Sequence, residues 1–369
     1  MRSSSVGVLA AVSLLLTSTT ACKDAPKPVA SGPDDAGVSP AGSAPVLDGK
    51  LGAAVAAIEA HANDPKASAP AAGASADGPP PGGIFAAGQA DAVLAVGKRP
   101  KLELLSEGSE PRVVLTPAVT TKRAQRVVVT VGMRQGPQHA LPTLAFTVSV
   151  EPAKEKKDKP QDGSVRLVAT VDRVSPEEQP GLAVPKELVD AIGKMKGSWV
   201  SMAVWPDGGV TDVAHGLAKG VDPQLDVLLG GLVDSLSSFV TPVPDKPVGV
   251  GAYWMVADRV APSGLDIVRY RVLRVQSVDQ AGAHLSLETR KYAADSRFAL
   301  PVAGPDAKLV MDQFEAQGKG AITLAPASWL PHDGDLSEKM AVKMKPMEGD
   351  SRQMMLQIDT TAKLVSSAP

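Results

Sequence analysis

A chain of 369 residues with 38 basic against 40 acidic side chains and a net charge of −2 lacks the dense basic face that phosphate contact needs, so no nucleic-acid partner is expected. Its single cysteine excludes an internal disulfide. The fold must therefore rest on burial and hydrogen bonding, and a chain of this size can bury enough surface to do so.

In chain order, the first element is a leader. Arg2 precedes an apolar run from Val6 to Leu16, and the small residues Thr17 to Ala21 lead directly into Cys22. The run is about half of the roughly 20 residues that span a bilayer, so residues 1–21 read as a signal peptide rather than a membrane helix. Ala21-Cys22 resembles the lipobox of bacterial lipoproteins, in which a small residue precedes a cysteine that is acylated and becomes the new N-terminus. The resemblance implies signal cleavage between Ala21 and Cys22, lipidation of Cys22, and an exported protein anchored in the cell envelope, facing the periplasm from the outer membrane. Thr19 departs from the motif, which places Leu, Val or Ile there, so plain secretory cleavage after Ala21 is the alternative. Several acyl chains, at about 0.8 kcal/mol per buried CH₂, hold a protein to a membrane stably, whereas one myristoyl-sized chain does not.

Residues 22–97 are expected to form a disordered tether. Ala, Pro and Gly fill over half of the positions from Lys23 to Gly97, and such a stretch buries too little apolar surface to offset its ordering entropy. Leu51, Val55 and Ile58 lie at helical spacing between Leu47 and His61, but an isolated helix of about 15 residues is marginal in water. A flexible tether of this length reaches roughly 50 Å.

Residues 98–369 read as one β-rich domain. Period-two runs predict strands at 112–116, 123–133, 144–150, 164–174, 197–205, 251–258, 265–277, 284–293, 310–324, 340–345 and 352–364. In the fourth run, Val165, Leu167, Ala169 and Val171 point one way while Arg166, Thr170 and Asp172 point the other. The basic cluster Lys154 to Lys159 falls between two runs and reads as a solvated hairpin loop. Turns are expected at Asp207-Gly208-Gly209 and Glu348-Gly349-Asp350.

Two amphipathic helices interrupt the strands. Pro185 opens the first, whose stripe is Leu188, Ala191, Ile192 and Met195 before Gly197. Asp222 caps the second, which carries Leu225, Leu228, Leu229, Leu232, Val233 and Leu236 and ends before Pro242 and Pro244. The expected fold class is α+β: a large curved antiparallel sheet with both helices packed on it. This order resembles the half-barrel with covering helices found in the lipoprotein-localisation and related lipid-carrier lipoproteins. Pro244 to Trp254 also resembles a segment shared by bacterial lipoproteins whose domain has no assigned function. The half-barrel family implies an apolar cavity for acyl chains, and its expected lining is Trp199, Trp205, Leu228, Leu232, Leu236, Trp254 and Tyr270. The alternative is a closed core, since amphipathic helices and aromatic strand residues are ordinary core material.

No motif points to catalysis, a metal or a cofactor. His-Glu-x-x-His, a phosphate-cradling Gly-rich loop, a Gly-x-Ser-x-Gly elbow and a second cysteine are all absent. Gly249-Val250-Gly251 lacks the third glycine of a dinucleotide fingerprint. Among the five histidines only His332-Asp333-Gly334-Asp335 places imidazole beside carboxylates, and it reads as a polar turn. Met340, Val342 and Met344 alternate, as do Met354, Leu356 and Ile358, so each set should share one sheet face, either filling a core or lining an adaptable apolar site. The expected function is a non-enzymatic binding module for lipid or another apolar ligand. The alternatives are a structural or interaction lipoprotein of the envelope and a hydrolase whose site is assembled from distant residues.

Overall fold

The computed structural model describes residues 80–115, 117, 125–136, 139–153, 163–179, 183–261, 265–280, 282–299, 308–325, 328–346 and 353–366. All lie in the compact unit that starts at Pro80. The leader, Cys22, most of the tether, the 47–61 stretch and the 154–159 loop fall outside the described residues. The expected domain boundary at residue 98 moves upstream, because Phe85, Ala90 and Leu94 are buried against the domain.

The strands are β1 (Lys101–Ser106), β2 (Gln125–Gln135), β3 (His139–Ala140), β4 (Leu144–Pro152), β5 (Val165–Pro176), β6 (Trp199–Val204), β7 (Val210–Gly216), β8 (Tyr253–Val260), β9 (Ile267–Val278), β10 (Ala283–Ala293), β11 (Arg297–Ala299), β12 (Lys308–Leu324), β13 (Asp333–Pro346) and β14 (Met354–Ser366). The described helices are α1 (Gln89–Val93), α2 (Lys186–Gly193) and α3 (Asp226–Phe239). One antiparallel sheet holds all strands in the order β1-β8-β9-β10-β12-β13-β14-β2-β4-β5-β6-β7, with β11 beside β12 and β3 beside β2. Two sequential meanders are thus joined where the last strand, β14, pairs with β2.

The sheet is not closed by strand pairing, but it rolls. Eleven steps of about 4.8 Å would separate β1 from β7 by roughly 50 Å in a flat sheet. Yet Arg99, just before β1, meets Asp207 of the β6–β7 turn at 2.6 Å. Arg99 also lies over the Trp205 ring at 4.9 Å. The expected curvature is therefore present, fastened at one rim by side chains.

One apolar core fills the rolled face and runs from Val129, Phe146 and Leu167 on one meander to Trp254, Leu273 and Leu285 on the other. Helix α3 packs into it through Leu229, Leu232, Leu236 and Phe239, after Asp222 accepts from the Gln224 N–H at 2.9 Å and caps the entering turn. Helix α2 supplies Ile192, and Met195 follows it into the core. Bulges adjust the strand faces: the extra residue Asp172 in β5 turns Val174 inward beside Phe146. In the Pro244–Trp254 segment, a Cβ at Gly249 would sit 1.7 Å from the Ser109 carbonyl oxygen, so only glycine fits there.

Several expectations are corrected. Residues 112–115 form no strand, since only Val113 makes an isolated bridge, to Val248. β13 starts at Asp333, so Asp333 to Asp335 are strand residues and the turn comes earlier. β1 was not anticipated, because its six residues pair on one side only and give a weak pattern.

Truncating a side chain under α3 should be costly and truncating one on the outer face should not. Leu232→Ala is expected to lower unfolding free energy by about 2–5 kcal/mol, and Val128→Ala, at an exposed outward position, by under about 0.5 kcal/mol. Urea titration of both variants checks the assignment of faces.

Candidate functional site

The rolled face carries a charged cluster that period-two patterning does not reveal. On β9 the inward positions are Ile267, Arg269, Arg271, Leu273 and Val275, all buried. Arg269 Nε and Nη2 each donate to Asp258 of β8 at 2.9 Å, and Arg271 Nη2 donates to the same carboxylate at 2.6 Å. Other guanidinium donors serve α3, while Arg271 Nε is buried without a hydrogen-bond partner among the described residues. Arg269 reaches Ser238 Oγ at 2.7 Å and the Ser237 carbonyl at 3.0 Å, while Arg271 reaches the carbonyls of Ser238 and Val240 at 3.1 and 2.8 Å. Carbonyls at the end of a helix lack intrahelical partners, and cations favour that end of the dipole. The two arginines therefore cap α3 from the sheet.

A second set extends the cluster. Lys291 of β10 lies 2.7 Å from Glu338 of β13 and 3.3 Å from Asp234 of α3. Gly318, opposite both Thr289 and Glu338, leaves room for them: a Cβ there would stand 2.6 Å from Glu338 Cγ. Burial disfavours the charge on Asp258, but the two guanidiniums outweigh it and hold the carboxyl below 3.8. Burial also opposes the charges on Arg269 and Lys291, and facing carboxylates, led by Asp258 for Arg269 and by Asp234 for Lys291, raise both above their ordinary values. Arg271, where burial prevails and Arg269 repels, is lowered to about 10 and stays charged at neutral pH.

Beside the cluster runs an apolar track. The cross-strand row Asp258-Arg269-Lys291 continues through Ala316, Met340 and Ile358, passing from charge to hydrocarbon within one sheet row. Beyond it Phe314, Val342 and Met344 are buried, whereas Met340, Met354, Leu356 and Ile358 are half-buried. On the β2 side, half-buried Met133 leads into a cleft lined by Val131, Leu141, Pro142, Leu144, Phe146, Leu228 and Gly231. Its free interior of about 20 Å³ has room for about one water, far less than an acyl chain.

The expected cavity lining does not converge on one site. Leu232, Leu236 and Trp254 are buried in a closed core, with Trp254 Nε1 donating to the Pro242 carbonyl at 3.1 Å. Leu228 borders the cleft. Trp199 faces outward over Gly216, and Trp205 belongs to the rim contact with Arg99. Tyr270 stands on the opposite sheet face, stacked edge-on with Tyr292 at 5.8 Å. Of the methionine positions, Met340 and Met344 share one sheet face as expected, Met354 joins them in the same apolar cluster, and Met355 points away.

Among the described residues no group of three or more His, Cys, Asp or Glu is placed to hold a metal ion. One hydrogen-bonded row superficially suggests a nucleophile: His284 contacts Asp279 at 2.9 Å and Thr323 at 3.1 Å. Thr323, however, donates its hydroxyl proton to Asp333 at 3.0 Å, so it does not offer that proton to the imidazole.

No family model and no curated protein matches the chain. A solved structure described as "Lipid-protein interactions in lipovitellin" is similar over 66% of this chain and 25% of that chain, with 11% identity and a TM-score of 0.37. This chain thus spans a quarter of the length of that one, and a likeness of this degree assigns neither ligand nor family.

Removing the shared carboxylate strands two buried cations. Asp258→Ala is expected to cost about 3–5 kcal/mol, read by chemical denaturation. Because the folded carboxyl titrates below 3.8, its contribution is complete above that pH and is lost as pH falls through the folded value. The stability gap between wild type and Asp258→Asn should therefore be constant above pH 3.8 and narrow below it.

Proposed function

We propose that the chain is an exported lipoprotein, held to the bacterial cell envelope by a lipid on Cys22, whose folded unit is a non-enzymatic binding module for an acyl chain or similar apolar ligand. The observation that carries the ligand reading is the track of half-buried Met133, Met340, Met354, Leu356 and Ile358 on the helix face of an open sheet. Unbranched, polarizable methionines adapt to irregular apolar surfaces, and each methylene placed there contributes about 0.8 kcal/mol. Cys22 supports the anchoring part, as the only cysteine, standing directly after a short apolar leader and before the Ala/Pro/Gly-rich stretch. The envelope membrane supplies acyl chains to a module placed beside it.

A second reading, docking of an envelope protein, is favoured by the outer edges of β1 and β7, which end the sheet without a strand partner among the described residues and offer a place for an added strand. Envelope proteins that co-purify through β1 or β7 would support it.

Purified full-length protein should take up a pyrene-labelled fatty acid, and Met340→Asp with Ile358→Asp should weaken uptake at least about tenfold, since each polar group must be desolvated on the track. Unchanged far-UV circular dichroism would show that the fold survives. Absence of uptake by the wild type, with no lipid in its extract, would overturn the ligand reading. Labelling cells with radioactive palmitate should mark the wild type and not Cys22→Ser; equal labelling, or none, would overturn the anchor.

A further inference from the structure

The chain enters the folded unit through a break in the sheet. β10 and β12 pair only as far as Lys291 opposite Ala316. Beyond that point β10 continues to Ala293, while β12 turns toward β11. The opening is filled by Gly83, Ile84 and Phe85. Ile84 makes a parallel bridge to Ala293, and the Phe85 N–H donates to the Ala293 carbonyl at 2.9 Å. Gly83 presses on the other side: a Cβ there would stand 1.7 Å from the Phe314 carbonyl oxygen, at a φ of +74°.

The side chains alternate as in a strand. Ile84 packs into the cluster of Ile267, Phe314, Val342 and Met340, which is the far end of the apolar track. Phe85 turns to the opposite face and meets Tyr292 edge-on at 6.1 Å. A second attachment follows downstream and differs in kind. Arg259, itself held by Asp266 at 2.5 and 2.7 Å, donates to Asp91 at 3.1 Å and to the Leu94 carbonyl at 2.8 Å. The upstream attachment is thus apolar with one described backbone hydrogen bond across the break, whereas the downstream one adds the bonds of Arg259 to the burial of Ala90 and Leu94.

We propose that Gly83–Phe85 is a removable plug, which an acyl ligand on the track displaces from the methionine-lined cluster. The proposal rests on the acyl-ligand reading above. Hydrocarbon from a ligand can replace what Ile84 gives the cluster, because apolar contact is non-directional. It cannot replace the carboxylate and carbonyl that Arg259 holds, so displacement stops at α1. Release frees residues 80–88 and extends the chain leading to the domain by up to about 30 Å. Ligand occupancy and tether length are thereby coupled.

Gly83→Val separates the plug from the site, since it bars the segment from the break without altering any residue of the track. In the full-length protein this variant should bind the pyrene-labelled fatty acid at least about fivefold more tightly than wild type, the gain expected when a competing internal occupant is removed. Hydrogen exchange on the wild type gives a readout that needs no variant. Saturating fatty acid should speed exchange at the Phe85 amide while leaving the Leu94 amide unchanged. Equal or weaker binding by Gly83→Val, or unaltered exchange at Phe85, would overturn the plug while leaving the ligand reading intact. No uptake by either protein would instead overturn the ligand reading and the plug with it.

Discussion

Two guanidiniums sharing one carboxylate, enclosed between a helix and a sheet, fix the arrangement of this domain. Asp258, Arg269 and Arg271 are each almost fully buried, and both arginines also donate to carbonyls at the end of α3. A slip of one residue in β9 would point Val268 and Tyr270 at α3 and send both arginines to the other face, stranding Asp258 and the helix end together. The cluster therefore determines strand register and helix position with the same bonds. Buried ion pairs contribute little net stability against a well-packed apolar alternative. What this one supplies is a penalty on every competing register.

The same cluster divides the apolar interior. On one side lies the core under α3, and on the other the methionine-lined cluster around Phe314 and Val342. The division requires the sheet to roll, since only a rolled sheet brings β2, β4 and β5 into one core with β8, β9 and β10. It also requires Gly318, whose missing side chain lets Glu338 and Thr289 approach across β12. The rim contact of Arg99 with Asp207 and Trp205 holds the two edges together where no strand pairing does.

Much of the fold could be read from the sequence where one sheet face is apolar and the other polar. The alternation of Leu167, Ala169 and Val171 shows β5, and the Leu229, Leu232 and Leu236 stripe places α3. The reading failed where that contrast inverts. On β9, Val268, Tyr270 and Val272 look like the inward set, yet the inward positions hold Arg269 and Arg271, neutralised by a residue eleven or more positions away. Tyr270, expected in the cavity lining, accordingly stands on the opposite face. Long-range charge pairing leaves no local period, so the site's most constrained residues were the least visible. The 80–97 stretch failed for a related reason: Ala, Pro and Gly composition signals disorder, but Ile84, Phe85 and Ala90 find partners supplied by β10 and its neighbours.

The charge balance of the cluster also bears on what the neighbouring track can recognise. Arg269, Arg271 and Lys291 are matched by Asp258, Asp234 and Glu338, so three cations face three anions. A wall with no net charge offers no free counter-ion to an acidic or a basic head group. Each of these side chains is already committed to another, and prising one away would leave a buried charge uncompensated. The acyl ligand proposed for the track would therefore be selected by the length and shape of its hydrocarbon, through side chains such as Met340 and Met354 that can reshape around it, with its polar end left in water at the open side of the sheet.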